Sequence, residues 1–223
     1  MLLALDTATT AVTAAVVSGG RVLAEVSHLD ARRHTELLAP AVADVLGRAG
    51  VRPGGLDGVV VGVGPGPFTG LRVGVMTATV LGHTAGVPVH GVCSLDALAA
   101  AAVGAAGTPA SFLVATDARR KEVYWARYAV RDGRAVRVEG PAVARAADLP
   151  DEVRLLPAVG RGPQLYPESL VDLGGPRDVA AGVLGLVAEQ ALGGHGVELL
   201  EPLPLYLRRP DAAVPGAAKP VRP

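Results

Sequence analysis

A strand that closes on an aspartate and restarts at a valine six residues later occurs twice in this chain. "LLALD" (2–6) ends in Asp6 and the next strand begins at Val12, while "FLVATD" (112–117) ends in Asp117 and the next begins at Val123. Each second strand runs through a glycine-arginine turn, Gly20-Arg21 and Gly133-Arg134, into a third. A three-stranded meander repeated in this way reads as an internal duplication; the alternative is coincidence between two ordinary meanders. At 223 residues the chain can form two halves sharing one spine, placed at 1–105 and 106–209, with a Pro-rich tail at 210–223 expected to be disordered.

The remaining pattern fills in the connections. "VTAAVV" (12–17) and "RVLAEV" (21–26) form a hairpin through Ser18-Gly19-Gly20. A helix is expected from about Thr35 to Arg48, with Pro40 near its first turn or kinking it. "GVVVGV" (58–63) is apolar almost throughout, as in a strand covered on both faces. A glycine-rich loop follows, then a helix from about Leu71 to His83, a strand near 87–92 and a helix opened by Ser94 as N-cap. Downstream, 155–160 reads as a strand and 178–192 as a helix. Two meanders with helical crossovers give an α/β chain of two duplicated ribonuclease-H-like halves. That is the actin-like (ASKHA) fold of actin, Hsp70 and the sugar kinases, in which each first turn carries an acid facing a nucleotide.

Charge and cysteine usage narrow the partners. Lys+Arg and Asp+Glu both total 21, for a net charge of zero, so the overall basic footprint of a nucleic-acid binder is missing and any such role is indirect or local. The single cysteine, Cys93, excludes a disulfide framework and a Cys-rich zinc site within one chain. No apolar run approaches the roughly 18 residues of a membrane span, and no leader pattern opens the sequence. A cytoplasmic protein away from membranes is expected.

The loop "GPGPFTGLRVG" (64–74) tests poorly for phosphate. Leu71 and Arg72 follow Gly70 where a P-loop needs lysine and a hydroxyl, and Thr69 stands at the third glycine of a dinucleotide fingerprint. Phosphate cradles work by backbone N–H groups, and Pro65 and Pro67 have none. In the actin-like group a glycine usually stands two after each acid; here Ala8 and Arg119 do. Asp6, Thr7 and Asp117 remain the candidates for a metal-bound nucleotide, although the threonines are equally good turn residues. Arg119, Arg120 and Lys121 read as a solvated tip, with an anion site as the alternative. His28, His34, His83, His90 and His195 form no H-x-x-x-H or H-E-x-x-H pair, and no serine sits in a G-x-S-x-G elbow. No catalytic residue, metal site or cofactor is expected.

The two N-terminal helices point elsewhere. Gly70, Gly74, Ala78 and Gly82 recur every four residues and make a smooth stripe on one helix face. "LLAPAVADVLG" (37–47) has one charge, Asp44. Helices apolar all round are buried on both sides, so Leu37, Leu38, Ala41, Val42 and Val45 together with the small-residue stripe are the expected surface for a partner, at roughly 800 Å² per side for a stable pair. The alternative is that an Ala-rich chain simply has mild surface residues.

Taken together, "LALDTAT", "RHTELLAPAV", "VGVGPGPFTGLRVGV", "GVCSLDALA" and "VATDARRKEVYWARY" resemble the TsaB (YeaZ) family over about residues 2–130, and the late "YLRRP" fits its ending. The resemblance implies an actin-like fold without catalysis of its own. It implies a heterodimer with the paralogue TsaD, which makes N6-threonylcarbamoyladenosine at position 37 of tRNAs reading ANN codons, and a TsaE-type ATPase joining the pair. The contact to TsaD would be a bundle of the two N-terminal helices, which in isolation could pair with a second copy. The paralogue's metal-binding H-x-x-x-H corresponds here to Ser94 and Leu98, neither an imidazole substitute. An actin-like ATP-dependent kinase or transferase and a metallopeptidase are the alternatives.

Overall fold

Alternation along the first strand sorts its side chains between two cores. The structure, a computed structural model, describes residues 1–104 and 107–208, so the tail read at 210–223 lies outside the described residues. In β1 (Leu2–Asp6), Leu3 and Leu5 enter one apolar cluster while Leu2 and Ala4 enter another. Its sheet has the order β3-β2-β1-β4-β5, built from β2 (Ala11–Ser18), β3 (Arg21–Leu29), β4 (Gly58–Gly64) and β5 (Val89–Cys93). The β1–β2 and β2–β3 pairs are antiparallel, and β4 and β5 add in parallel on the other side.

The second sheet repeats this plan. From β6 (Ser111–Asp117), β7 (Glu122–Arg131), β8 (Arg134–Arg145), β9 (Pro157–Val159) and β10 (Val171–Asp172) it has the order β10-β9-β6-β7-β8. Read from its other edge, that is the order of the first sheet. As in the first half, the opening strand pairs antiparallel with its successor and parallel with the strand after the crossover. The duplication seen in the spacing of acid and valine is therefore a duplication of topology, and the two ribonuclease-H-like halves of an actin-like fold are present.

Helices α1 (His34–Ala49) and α2 (Phe68–Ala85) cover the outer face of the first sheet. Between the sheets lie α3 (Ser94–Val103) and α6 (Ala181–Leu192), whose apolar residues join Leu2, Ala4, Phe112 and Tyr128 in one cluster. Their placement crosses the order of the sequence. Helix α6 comes from the second half yet packs on β1 and β2, and α3 comes from the first half yet packs on β8, β6 and β7. Glycines permit the close approach of α6: a Cβ at Gly185 would meet Val17 and Ala4, and one at Gly182 would meet Val22. Polar ties follow the same exchange. Glu25 on β3 accepts the Gly182 N–H at 2.8 Å, and Glu189 near the end of α6 accepts the Gly19 and Gly20 N–H groups at 2.7 and 2.6 Å. The short helices α4 (Asp151–Arg154) and α5 (Gly162–Leu165) belong to the second half's connections.

The stretch after α6 closes the molecule. Leu200 pairs with Gly91, and the Leu205 N–H donates to the Val63 carbonyl at 2.8 Å. Tyr206 stacks on Phe68 at 4.5 Å between centroids and accepts from Arg72 Nε at 3.0 Å, and Arg208 reaches Glu122 and the Ala118 carbonyl. One strap thus links the first sheet, α2 and the turn after β6.

Several expectations need correcting here. Leu38, Ala41, Val42 and Val45 face the chain's own sheet, and Leu37 packs half-buried beside them. Gly70, Gly74, Ala78 and Gly82 are buried as well. A Cβ at Gly70 would meet the Thr7 carbonyl, at Gly74 the Thr7 hydroxyl, and at Gly82 the side chain of Val89. The smooth stripe lets α2 lie close on its own sheet and is not free for a partner. The outward side is not wholly apolar either, since Glu36, Asp44, Arg48, Arg72 and His83 are exposed there. Among them stand Met76 and Val80, 60% and 57% exposed, four residues apart on one face of α2. Pro40 lies inside α1, and the N-cap of α3 is Cys93 rather than Ser94.

Replacing Gly74 by leucine is therefore expected to destabilise the monomer itself, by about 1–3 kcal/mol or more, through overpacking against Thr7 and Val61. Denaturant unfolding measures it; an unchanged midpoint would show that α2 has room to spare.

Candidate functional site

Asp6 ends β1 at the centre of the first sheet and is 0% exposed. Its carboxylate accepts from the Ala8 N–H at 2.8 Å and from the Ser94 hydroxyl at 2.6 Å, and Ser94 Oγ in turn accepts from the Gly64 N–H at 3.2 Å. Gly62 lies against the carboxylate, where any Cβ would collide. Burial outweighs these hydrogen bonds and pushes the Asp6 pKa up to about 6. Thr7 is also 0% exposed, and its hydroxyl donates to the Gly70 carbonyl at 2.7 Å. As candidates for holding a metal-bound nucleotide, Asp6 and Thr7 are thus occupied by internal partners.

The glycine-rich loop is what encloses them. A Cβ at Gly66 would collide with the Ala8 backbone, and Gly70 and Gly74 back onto Thr7. Gly62, Gly66, Gly70 and Gly74 therefore all face the turn after β1, and the loop grips the chain's own backbone where a phosphate loop would grip an anion.

The turn after β6 copies the first turn in one detail and departs in another. The Arg119 N–H donates to Asp117 at 2.7 Å, as the Ala8 N–H does to Asp6. In both halves the amide two residues after the acid is already used and is not offered to a ligand. Asp117, however, stays partly exposed and pairs with the Arg119 guanidinium at 3.0 Å. Arg119, Arg120 and Lys121 all have positive φ, at 62°, 55° and 62°, a conformation costing roughly 1–2 kcal/mol per residue.

Between the two turns lies a cavity of about 220 Å³ bordered by Thr7, Thr9, Arg32, His34, Thr116, Asp117, Arg119, Arg161 and Arg177. Its arginines are held by acids behind them. Arg161 forks onto Asp178 at 2.5–3.1 Å, and Arg177 onto Asp172 at 2.8 and 2.9 Å while also donating to the Gly160 carbonyl. His34 Nε2 donates to the Thr9 carbonyl at 3.1 Å. Of the residues singled out in the sequence as nucleotide candidates, only Asp117 combines a place on this cavity with partial exposure. Arg32, Arg161 and Arg177 each sit in a loop or short turn remote in sequence from the two aspartates and carry no periodic or motif signal that would mark them as site residues. Ser94 and Leu98 are both buried, Ser94 on Asp6 and Leu98 in the central core. Among the described residues, no group of three or more His, Cys, Asp or Glu stands where it could hold a metal, and no helix is long and apolar enough to cross a membrane.

Two ribonuclease-H-like sheets with their first turns facing one cleft define a chain of the actin-like class. Comparison with known proteins gives the family. The family model for TsaD, tRNA N6-adenosine threonylcarbamoyltransferase, matches residues 21–157. YeaZ from Pseudomonas aeruginosa is 32% identical, with a TM-score of 0.79 over 92% of this chain and 99% of that one. A second structure, an uncharacterized protein with similarity to peptidase YEAZ from Pseudomonas aeruginosa, is 31% identical with a TM-score of 0.80 over 93% and 99%. An uncharacterized protein of Mycobacterium tuberculosis is 46% identical over 216 residues, 95% of this chain and 93% of its own length. The chain belongs to the TsaD-related TsaB (YeaZ) family, a family tied to tRNA modification.

The buried acid sets a pH dependence. Folded Asp6 holds its proton up to about pH 6, whereas an unfolded aspartate loses it near pH 4. Between these values the folded state binds more protons, so stability falls as pH rises and the loss is complete above the folded pKa. Its size is roughly 2–3 kcal/mol. Asp6→Asn should remove this component: the difference in unfolding free energy between wild type and variant should move in the variant's favour from pH 4 to pH 7. A constant difference would mean that Asp6 titrates normally.

Proposed function

We propose that this chain is a non-catalytic subunit of the machinery that forms N6-threonylcarbamoyladenosine at position 37 of tRNAs reading ANN codons, acting by pairing with a TsaD-like paralogue. A TsaE-like ATPase joins the pair, tRNA is met mainly through the partner, and the complex works in the cytoplasm. The observation that carries this reading is the sealed first turn. The acid and hydroxyl that an actin-like catalyst would open to its nucleotide, Asp6 and Thr7, are enclosed and bonded within the chain. A chain of a transferase family whose own first turn is closed serves as a partner better than as a catalyst. The missing histidines at Ser94 and Leu98 point the same way.

The surface for pairing, in this reading, is the outward flank of α1 and α2. Met76 and Val80 of α2 and Ala39, Pro40 and Ala43 of α1 are all exposed, and Arg72 is fixed by Tyr206 of the strap and lies 3.9 Å over the Phe68 ring. Adding a partner's helices would cover both apolar side chains. In the partner's absence the same flank pairs with a second copy.

A Met76→Glu, Val80→Glu double variant is expected to lose co-elution with the TsaD-like paralogue in size-exclusion chromatography. Its melting temperature should stay near that of the wild type, since exposed substitutions usually change stability by within about 0.5 kcal/mol. Undiminished co-elution would place the contact elsewhere.

A further inference from the structure

We propose that the cleft between the halves is a binding site for a small oxyanion of phosphate size, held by arginine side chains from both halves and not by the backbone amides of the two strand turns. Four guanidinium groups border the cavity, Arg32 from the first half and Arg119, Arg161 and Arg177 from the second, against Asp117 as the only carboxylate on its lining among the described residues. Three of them are already oriented. Arg119 is held by Asp117, Arg161 by Asp178 and Arg177 by Asp172. Each guanidinium has five N–H donors, and these acids use only part of the set, so the arginines present fixed, charged donors without the ordering cost a mobile side chain would bring. Arg32 sits at the approach to α1, exposed, and supplies the adjustable contact.

Two further features favour a negative ligand. The N-terminal turn of α1 reaches the cavity through His34 and Thr35, and no side chain caps the first amides of the sixteen-residue helix, although Asp30 accepts from the Arg32 and Arg33 N–H groups just before it and Glu36 stands in its first turn. Thr116, 4% exposed, borders the same cavity, and its hydroxyl has no hydrogen-bond partner among the described residues. A buried donor left unmade costs stability; an acceptor oxygen in the cavity would satisfy it.

Size favours a small ion over a nucleotide. Pockets for drug-sized ligands span roughly 300–1,000 Å³, and this one offers about 220 Å³. The amides that would wrap a nucleotide's phosphates are bonded to Asp6 and Asp117. A phosphate or carboxylate group matches the space and the donors, and because its ligands come from both halves its binding would tie them together.

The test is calorimetric titration and thermal unfolding of the full chain with inorganic phosphate, with acetate and with Mg-ATP, each against chloride at equal ionic strength. Saturable binding of phosphate or acetate with a raised melting temperature is expected, and whichever binds more tightly identifies the tetrahedral or planar ion. Arg32→Gln and Thr116→Val should each weaken that binding, the first by about tenfold or more as for a lost charged hydrogen bond. Without anion, Thr116→Val should melt no lower than wild type, which separates a ligand role from a structural one. Phosphate and acetate indistinguishable from chloride, unchanged affinity in both variants, or Mg-ATP binding more than tenfold tighter than either small ion would each overturn the assignment. The measurements use the chain alone, so their failure leaves the pairing with a TsaD-like partner untouched.

Discussion

The turn Asp6-Thr7-Ala8 is gripped by backbone, and the rest of the molecule is arranged around that grip. Gly62, Gly66, Gly70 and Gly74 each present a bare Cα to it, and Ser94 bonds the aspartate from the start of α3. Any side chain at these glycines would push β4 or α2 away from β1. Because β1 is the central strand of its sheet, the grip fixes the crossover from β4 through α2 and therefore the height of both outer helices. The carboxylate is desolvated and internally bonded, so the residue that would meet a ligand in an open actin-like cleft becomes a structural pin.

A second constraint comes from the exchange of helices between the halves. Helix α6 covers the other half's sheet, α3 packs on both sheets, and Glu25 and Glu189 tie α6 to the first meander. Separating the halves would expose both helices and one face of each sheet. The cleft is therefore a gap in one continuous core and not a joint between independent units. Three of its arginines, Arg119, Arg161 and Arg177, are anchored by acids of the same framework.

The legible part of the fold was the part written locally. The repeated acid, the six-residue step to valine and the glycine-arginine turns correctly implied two sheets of one topology, and the expected helix near 35–48 is found over His34–Ala49. The small-residue stripe was recognised, but its direction was misjudged. Four-residue spacing says that Gly70, Gly74, Ala78 and Gly82 share a face, and it does not say what lies opposite. A stripe that admits a partner's helix equally admits the chain's own strand. Ser94 was misread for a similar reason: a serine before a helix suits a cap, whereas here Asp6 offers a stronger, charged acceptor from far away in the chain. The cavity was half visible. Asp117 and Arg119 belong to a recognisable turn, while Arg32, Arg161 and Arg177 sit in irregular segments that carry no periodic signal.

By itself the sequence determined the class of element at most positions, the duplication, the family to which the chain belongs and the poverty of its glycine loop as a phosphate cradle, since these follow from residue types at short range. Only the tertiary structure decided which side of α2 faces outward, which sheet each inner helix covers, that Asp6 and Thr7 are enclosed, and that four arginines meet across one cleft. Those outcomes depend on contacts between segments far apart in the chain. Local spacing limits what each segment can present, and the packing of the whole chain settles what it meets.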